Sequence, residues 1–196
     1  MKVFLSGEGD DDIGGWAKEA PYQGDPPEMG VIEALLRQVA AAEITIGGAC
    51  VWKKIRKYRS GAHAQRETRS VLGLMIEAEE LGCDAVVFVR DRDGDAKRQA
   101  DIEAGVHQAR AGEFVPVVVG GVAVEEIEAW ILAILGERRS EQHTDAKAVL
   151  KERHGIDSRD KMVAVIQKRR LEDVPEDATS LHAWLRDATV TFIMQS

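Results

Sequence analysis

The feature that most constrains this chain is a repeated change of period, in which short apolar runs alternate with longer stretches that follow the turn of a helix. Apolar runs at residues 3–5, 44–46, 85–89 and 114–119 are separated by segments of helical period near 26–41, 63–81, 96–111 and 124–135. The runs "AVVFV" and "FVPVVV" are continuously apolar rather than alternating, as in strands that helices cover on both faces. This rhythm predicts an α/β fold: a Rossmann-like, mostly parallel sheet with helices on both faces. Pro116 has no N–H to give a ladder, so its strand is expected at the sheet edge or at its margin.

Helix boundaries have readable causes. Asp25, Pro26 and Glu28 have the form of an N-cap, a first-turn proline and a capping-box acid. Gly82 after Leu81 ends the helix that precedes the strand at 85. From about 137 the chain changes to short, charged helical patterns such as "TDAKAVLKERHG" and "SLHAWLRDATVTFI". The expected organisation is an α/β domain over 1–136 and a C-terminal helical extension over 137–196 packed on it. A chain of 196 residues, 44% of them hydrophobic, is long enough for a core without disulfides or a structural metal.

Several function classes drop out early. No run approaches the roughly 18 apolar residues that cross a bilayer, and the start lacks a basic region, apolar stretch and cleavage site. The expectation is a soluble, cytoplasmic protein with no membrane partner. Cys50 and Cys83 form no CxxC or Cys/His spacing, so zinc is not expected and both read as reduced, buried or half-buried residues. The net charge of −8 argues against a wholesale nucleic-acid coat, but the charge is uneven. The first fifty residues are rich in acids, whereas "WKKIRKYRSGAHAQRETR" sets Lys53, Lys54, Arg56, Lys57, Arg59, Arg66 and Arg69 against the single acid Glu67. Within that stretch Lys53, Lys54, Arg56, Lys57 and Arg59 are the candidate nucleic-acid contacts, with Trp52 and Tyr58 to stack on unpaired bases.

The chemistry concentrates in carboxylates. "VFVRDRDGDA" is an apolar strand ending in Asp91, Asp93 and Asp95. On a continuing strand Asp91 and Asp93 point to one face, about 6–7 Å apart, at the carboxyl edge of the sheet. "VFLSGEGDDD" delivers Glu8 to the same edge if the strands are parallel neighbours. Any one of these acids is an ordinary turn or cap residue, but like charges gathered at one edge call for a cation. Hard oxygen donors with few His or Cys suit magnesium or manganese. An EF-hand fails, since Ala96 and Ile102 stand where its glycine and glutamate belong; a dinucleotide loop fails because Asp12 takes the third glycine's place.

In order along the chain, "EGDDD" after the first strand, "DRDGD" after a later one and "VEEIEAW" after the last resemble the Toprim set of motifs. More closely, they are similar to an uncharacterised bacterial family of small Toprim-like proteins related to the OLD-type nucleases. The resemblance spans most of the chain, including "LHAWLRDA" in the tail. It matches Glu8 and Gly9, with Asp12 in the place of the second acid, Asp91 and Asp93 as the DxD pair, Asp95 as a third acid and Glu128 as the acid of the last helix. Asp11 departs from the small hydroxyl residue common in the first motif, and "IGGWAKEAPYQG" interrupts the start of the first helix.

The resemblance implies a nuclease using one or two magnesium or manganese ions, acting on DNA or RNA, in bacterial defence against phage or mobile elements. Glu8, Asp91, Asp93 and Glu128 would be catalytic, and Glu8, Asp12, Asp91, Asp93, Asp95 and Glu128 would hold metal. Two other readings stay open. One is a non-catalytic Toprim-like partner of an ATPase, since this chain lacks GxxxxGK[ST]. The other is a haloacid-dehalogenase-like phosphatase, whose strand also runs into DxDG. Among "VEEIEAW", Glu128 is expected at the metal, with Glu125 and Glu126 mainly on the surface.

Overall fold

Each apolar run becomes a strand because helices close over both of its faces. The computed structural model describes residues 1–17, 28–56 and 65–193. Strands β1 (Lys2–Gly7), β2 (Thr45–Val51), β3 (Ala85–Asp91) and β4 (Val117–Ala123) form one sheet of order β2-β1-β3-β4, parallel at every pairing. Between and after them run α1 (Asp10–Ile13), α2 (Val31–Val39), α3 (Arg66–Glu80), α4 (Ala96–Ala111) and α5 (Glu128–Ile134). The tail adds α6 (Ala146–His154), α7 (Arg159–Lys168) and α8 (Thr179–Ile193).

Alternation along the strands divides the interior into two layers. Val3, Leu5, Val87, Val89 and Val119 pack with α2, α5 and the tail, where Trp130, Leu150, Ile166 and Trp184 are buried. Phe4, Val86, Phe88 and Val118 pack on the other face with Val71, Met75 and Ile102 of α3 and α4. The tail helices therefore share the core of the first layer. Buried Glu141 fastens α8 to it by accepting the N–H groups of Ser180 (2.9 Å) and Leu181 (3.2 Å). Among the described residues no helix is long and apolar enough to cross a membrane.

Pro116 lies immediately before β4, an edge strand, as its missing N–H requires. Four boundaries differ from expectation, the first being β4, which runs Val117–Ala123 and not over 114–119. β2 continues through Gly47 and Gly48 to Val51, with a register shift opposite Val3 and Phe4. The helix after β1 starts at Val31, not near 26; Asp25 and Pro26 lie outside the described residues. Residues 28–30 are instead held extended beside α1, where Gly15 N–H donates to Glu28 O at 2.8 Å, and the Glu28 carboxylate pairs with Arg159 at 2.5 Å. The helix after β4 starts at Glu128, not near 124. Its expected first turn is taken up by contacts to the end of β3: Arg92 N–H to Ala123 O, Asp93 N–H to Glu125 O, and Glu125 itself at φ +65°.

The strand order places a topological switch between β1, which leads to β2 on one side, and β3, which leads to β4 on the other. In an open parallel sheet the crevice beyond the carboxyl ends of two such strands is the position for a ligand. The residues that open onto it follow Gly7 and Asp91.

Candidate functional site

Three separate segments each send one carboxylate into this crevice. The first is α1, a single turn whose Ile13 is fully buried and so draws the preceding Asp12 down to 6% exposure. Asp12 Oδ2 accepts the Glu8 N–H at 2.5 Å, closing the turn after β1. Gly7 is needed for that closure, since a Cβ there would lie 2.4 Å from the Asp12 Cβ. Gly30 is needed too: its missing Cβ would meet Asp12 O at 2.3 Å. The second carboxylate is Asp91, the last residue of β3, whose Oδ1 accepts the Ile127 N–H at 3.0 Å. The third is Glu128, the first residue of α5 and 6% exposed.

Together with Glu8, Asp11 and Glu126 these residues line a cleft of about 310 Å³. Among the described residues one cation lines it. Lys147, in the first turn of α6, places its Nζ 3.5 Å from Glu128 Oε1 and 3.5 Å from Asp11 Oδ2. Lys147 N–H also donates to Glu126 Oε1 at 2.7 Å, which fixes the start of α6 against the cleft.

Burial dominates the electrostatics. It pushes the Asp12 carboxyl up to about 7, with the Glu128 charge adding to the rise. Burial, then the charges of Asp12, Glu128 and Asp93, pushes Asp91 to about 8. Glu128 is raised as well, first by burial. The Lys147 ammonium is held charged chiefly by Glu128. Close to neutral pH this cluster therefore carries protons unless a cation of higher charge neutralises it.

The other expected ligands lie elsewhere. β3 stops at Asp91, and Asp93 takes φ +49°, so the alternation that would align the two side chains does not extend to it. The Asp93 carboxylate pairs with Arg98 at 2.5 Å and is exposed. Asp95 caps α4, accepting the N–H groups of Lys97 (2.9 Å) and Arg98 (3.2 Å). Glu8 stands at the rim, ion-paired with Arg90 and accepting the Asp91 N–H at 3.3 Å. Among the described residues no three His, Cys, Asp or Glu side chains already stand in a geometry that closes around an ion. The chemistry of this trio nonetheless fits a hard divalent cation: three oxygen donors whose proton affinities are raised first by burial and then by neighbouring acids.

The basic stretch begins at the same edge. Val51 ends β2 opposite Gly7, and Lys53 and Lys54 follow at once in an exposed 3-10 turn. Arg56 is exposed, with its backbone N–H on Glu77 Oε1 at 2.9 Å. Lys57, Tyr58 and Arg59 lie outside the described residues. Trp52 is not a platform for bases: it is 7% exposed, its Nε1 donates to Glu67 at 2.7 Å, and its ring packs 5.2 Å from that of Phe88. An apolar second layer needs that ring more than the solvent does. The Arg90 guanidinium lies 5.9 Å over it and so connects Trp52 to Glu8.

Two participants went unread in the sequence. Arg90 sat in view beside Asp91 as a cation on an apolar strand. Lys147 gave no signal beyond the Asp145 cap that begins its helix, because its place at the cleft is purely tertiary. Compared with protein-family models, curated proteins and solved structures, the chain matches none.

Proposed function

We propose that this chain is a magnesium- or manganese-dependent phosphodiesterase of Toprim type that cleaves nucleic acid. The observation that carries the reading is the convergence of Asp12, Asp91 and Glu128, from three segments, in a cleft at the switch point of a parallel sheet. Burial, and then the charge of neighbouring acids, raises the proton affinity of Asp12 and Asp91 well above that of an ordinary surface carboxylate.

Asp12, Asp91 and Glu128 would hold the ion, which when bound supplies a Lewis acid for the phosphoryl oxygens and a more acidic water. The chain's own residues prepare the ground. Glu8 N–H on Asp12 and Ile127 N–H on Asp91 hold two of the carboxylates in fixed orientations. Arg90 holds Glu8 at the rim, where it can take a proton from water entering the cleft. Lys53, Lys54 and Arg56 offer positive charge to a phosphate backbone at the same edge of the sheet. Asp93 and Asp95 are given no place at the ion, because Arg98 and the first turn of α4 already engage them. That also weighs against a haloacid-dehalogenase-like reaction, which draws on both aspartates of DxDG. The reading puts the chain in the cytoplasm, in keeping with the free thiols Cys50 and Cys83, and in bacterial defence.

The test is incubation of the purified protein with labelled single- and double-stranded DNA and RNA in magnesium, manganese or calcium, beside Asp91→Asn. Metal-dependent cleavage by wild type and none by the variant is the expected result. Tight nucleic-acid or ATPase binding with no cleavage in any metal would replace this reading with a non-catalytic partner role.

A further inference from the structure

Lys147 comes from the tail, not from the sheet domain whose acids it meets. Its backbone is fixed twice over: Lys147 N–H on Glu126 Oε1 at 2.7 Å, and the next N–H, of Ala148, on Asp145 Oδ1 at 2.8 Å. Its side chain is free to swing, being 63% exposed, and it crosses to Glu128 and Asp11 at 3.5 Å each. The position it reaches is that of a counter-ion. With Asp12, Asp91 and Glu128 crowded in one cleft, an ammonium is the cation closest at hand.

A divalent ion needs carboxylate oxygens within about 2.0–2.6 Å. An ammonium already 3.5 Å from Glu128 Oε1 would then face it across a few ångströms, close enough for like charges to repel even where solvent reaches them. The two cations compete for the same acid. We propose that Lys147 is the resident counter-ion of the cleft and that a divalent metal enters by displacing its ammonium while α6 stays in place. The inference rests on the metal-dependent reading above and assigns to the tail a control over metal occupancy. Because only a long, exposed side chain has to move, exchange needs no change in the fold.

The experiment is calorimetric titration of manganese alone into the full chain as wild type, Lys147→Gln and Lys147→Arg, with melting measured in chelator and in saturating manganese. Lys147→Gln should bind manganese about fivefold more tightly, as expected for removing one exposed ion pair. It should also melt lower than wild type in chelator and level with it in manganese. Lys147→Arg keeps the charge and should bind as wild type does. If wild type binds manganese and Lys147→Gln binds it equally or more weakly, displacement is wrong while the metal site stands. If none of the three binds manganese at millimolar concentration, the metal-dependent reading fails and takes this inference with it.

Discussion

The Asp91 carboxylate accepts the Ile127 N–H at 3.0 Å, joining the end of β3 to the start of α5 across 36 residues of chain. One side chain thereby has two roles, since it shapes the turn that delivers Glu128 and supplies charge to the cleft. The roles separate by substitution. At pH 5, where the Asp91 carboxyl holds its proton, Asp91→Asn keeps an acceptor for Ile127 and should melt as wild type does. Asp91→Ala leaves that buried N–H unpaired and should lose about 1–3 kcal/mol. Equal losses in the two variants, read by denaturant unfolding, would remove the hydrogen bond from the account.

The same cluster sets a direction for stability against pH. Asp12 rises to about 7 and Asp91 to about 8 from the usual 3.8, so the folded protein keeps protons that the unfolded chain has released. Metal-free stability should therefore be greatest below pH 4 as far as these groups decide it, fall as pH rises toward 8, and level off beyond. The slope is about 1.4 kcal/mol per pH unit for each proton held. Asp91→Asn should flatten it, and saturating manganese should remove it between pH 5 and 8, because the metal-bound acids and those of the unfolded chain are then both deprotonated. Melting curves in chelator from pH 5 to 8 that rise for wild type would contradict the crowding of these carboxylates.

Much of this arrangement could be read from the sequence wherever local chemistry and tertiary structure agree. The span 96–111 of α4 was legible from its helical period, but Asp95, expected at the metal, is instead the cap that starts that helix. Glu8 and Asp91 could be set at one edge because strand ends in a parallel sheet share it, whereas Asp12 and Glu128 were expected from the resemblance of their motifs. Asp93 misled because two-residue alternation holds only while a strand continues, and this one yields at Asp91 to a turn with φ +49° two residues later. The start of α2 misled because Asp25, Pro26 and Glu28 look like a cap, while Gly14 and Gly30 keep the chain near Glu28 extended against α1. Lys147 and the burial of Trp52 depend on helices that arrive from far along the chain, and no local pattern records them.

Because Trp52 is packed inside, the basic turn and the aromatic ring should behave as separate parts. Changing Lys53, Lys54 and Arg56 to Glu should lower the salt slope of nucleic-acid binding by about 0.7–0.9 for each phosphate no longer neutralised, with little effect on melting. Trp52→Ala removes the ring that packs on Phe88 and should cost about 3–5 kcal/mol of stability. Binding measured at several salt concentrations, beside unfolding, distinguishes the two. A triple variant that keeps its affinity and salt slope would leave the turn as a solvated face.

Glutamates 125, 126 and 128 are close in sequence and divide three tasks. Glu125, at φ +65°, pairs with Arg92 at 2.7 Å and ties the turn before α5 to the end of β3. Glu126 is more than the surface acid the sequence suggested, since its Oε1 takes the Lys147 N–H and anchors the first turn of α6. Only Glu128 is buried in the cleft, where burial raises its proton affinity and Lys147 answers its charge. α5 begins only at Glu128, so Glu125 and Glu126 lie before the helix, and the place of Glu128 at the metal rests on the cleft. Glu128→Gln should therefore abolish the rise in melting temperature with manganese while leaving the fold intact. Glu126→Gln keeps an acceptor for Lys147 N–H and should preserve that rise. Glu126→Ala should cost about 0.5–2 kcal/mol, as the loss of a helix cap does. It should also weaken the hold of Lys147 on Glu128, so that its manganese affinity rises toward that of Lys147→Gln. A Glu128→Gln protein that still gains full stability from manganese would take Glu128 out of the ligand set and leave Asp12 and Asp91 to account for the site.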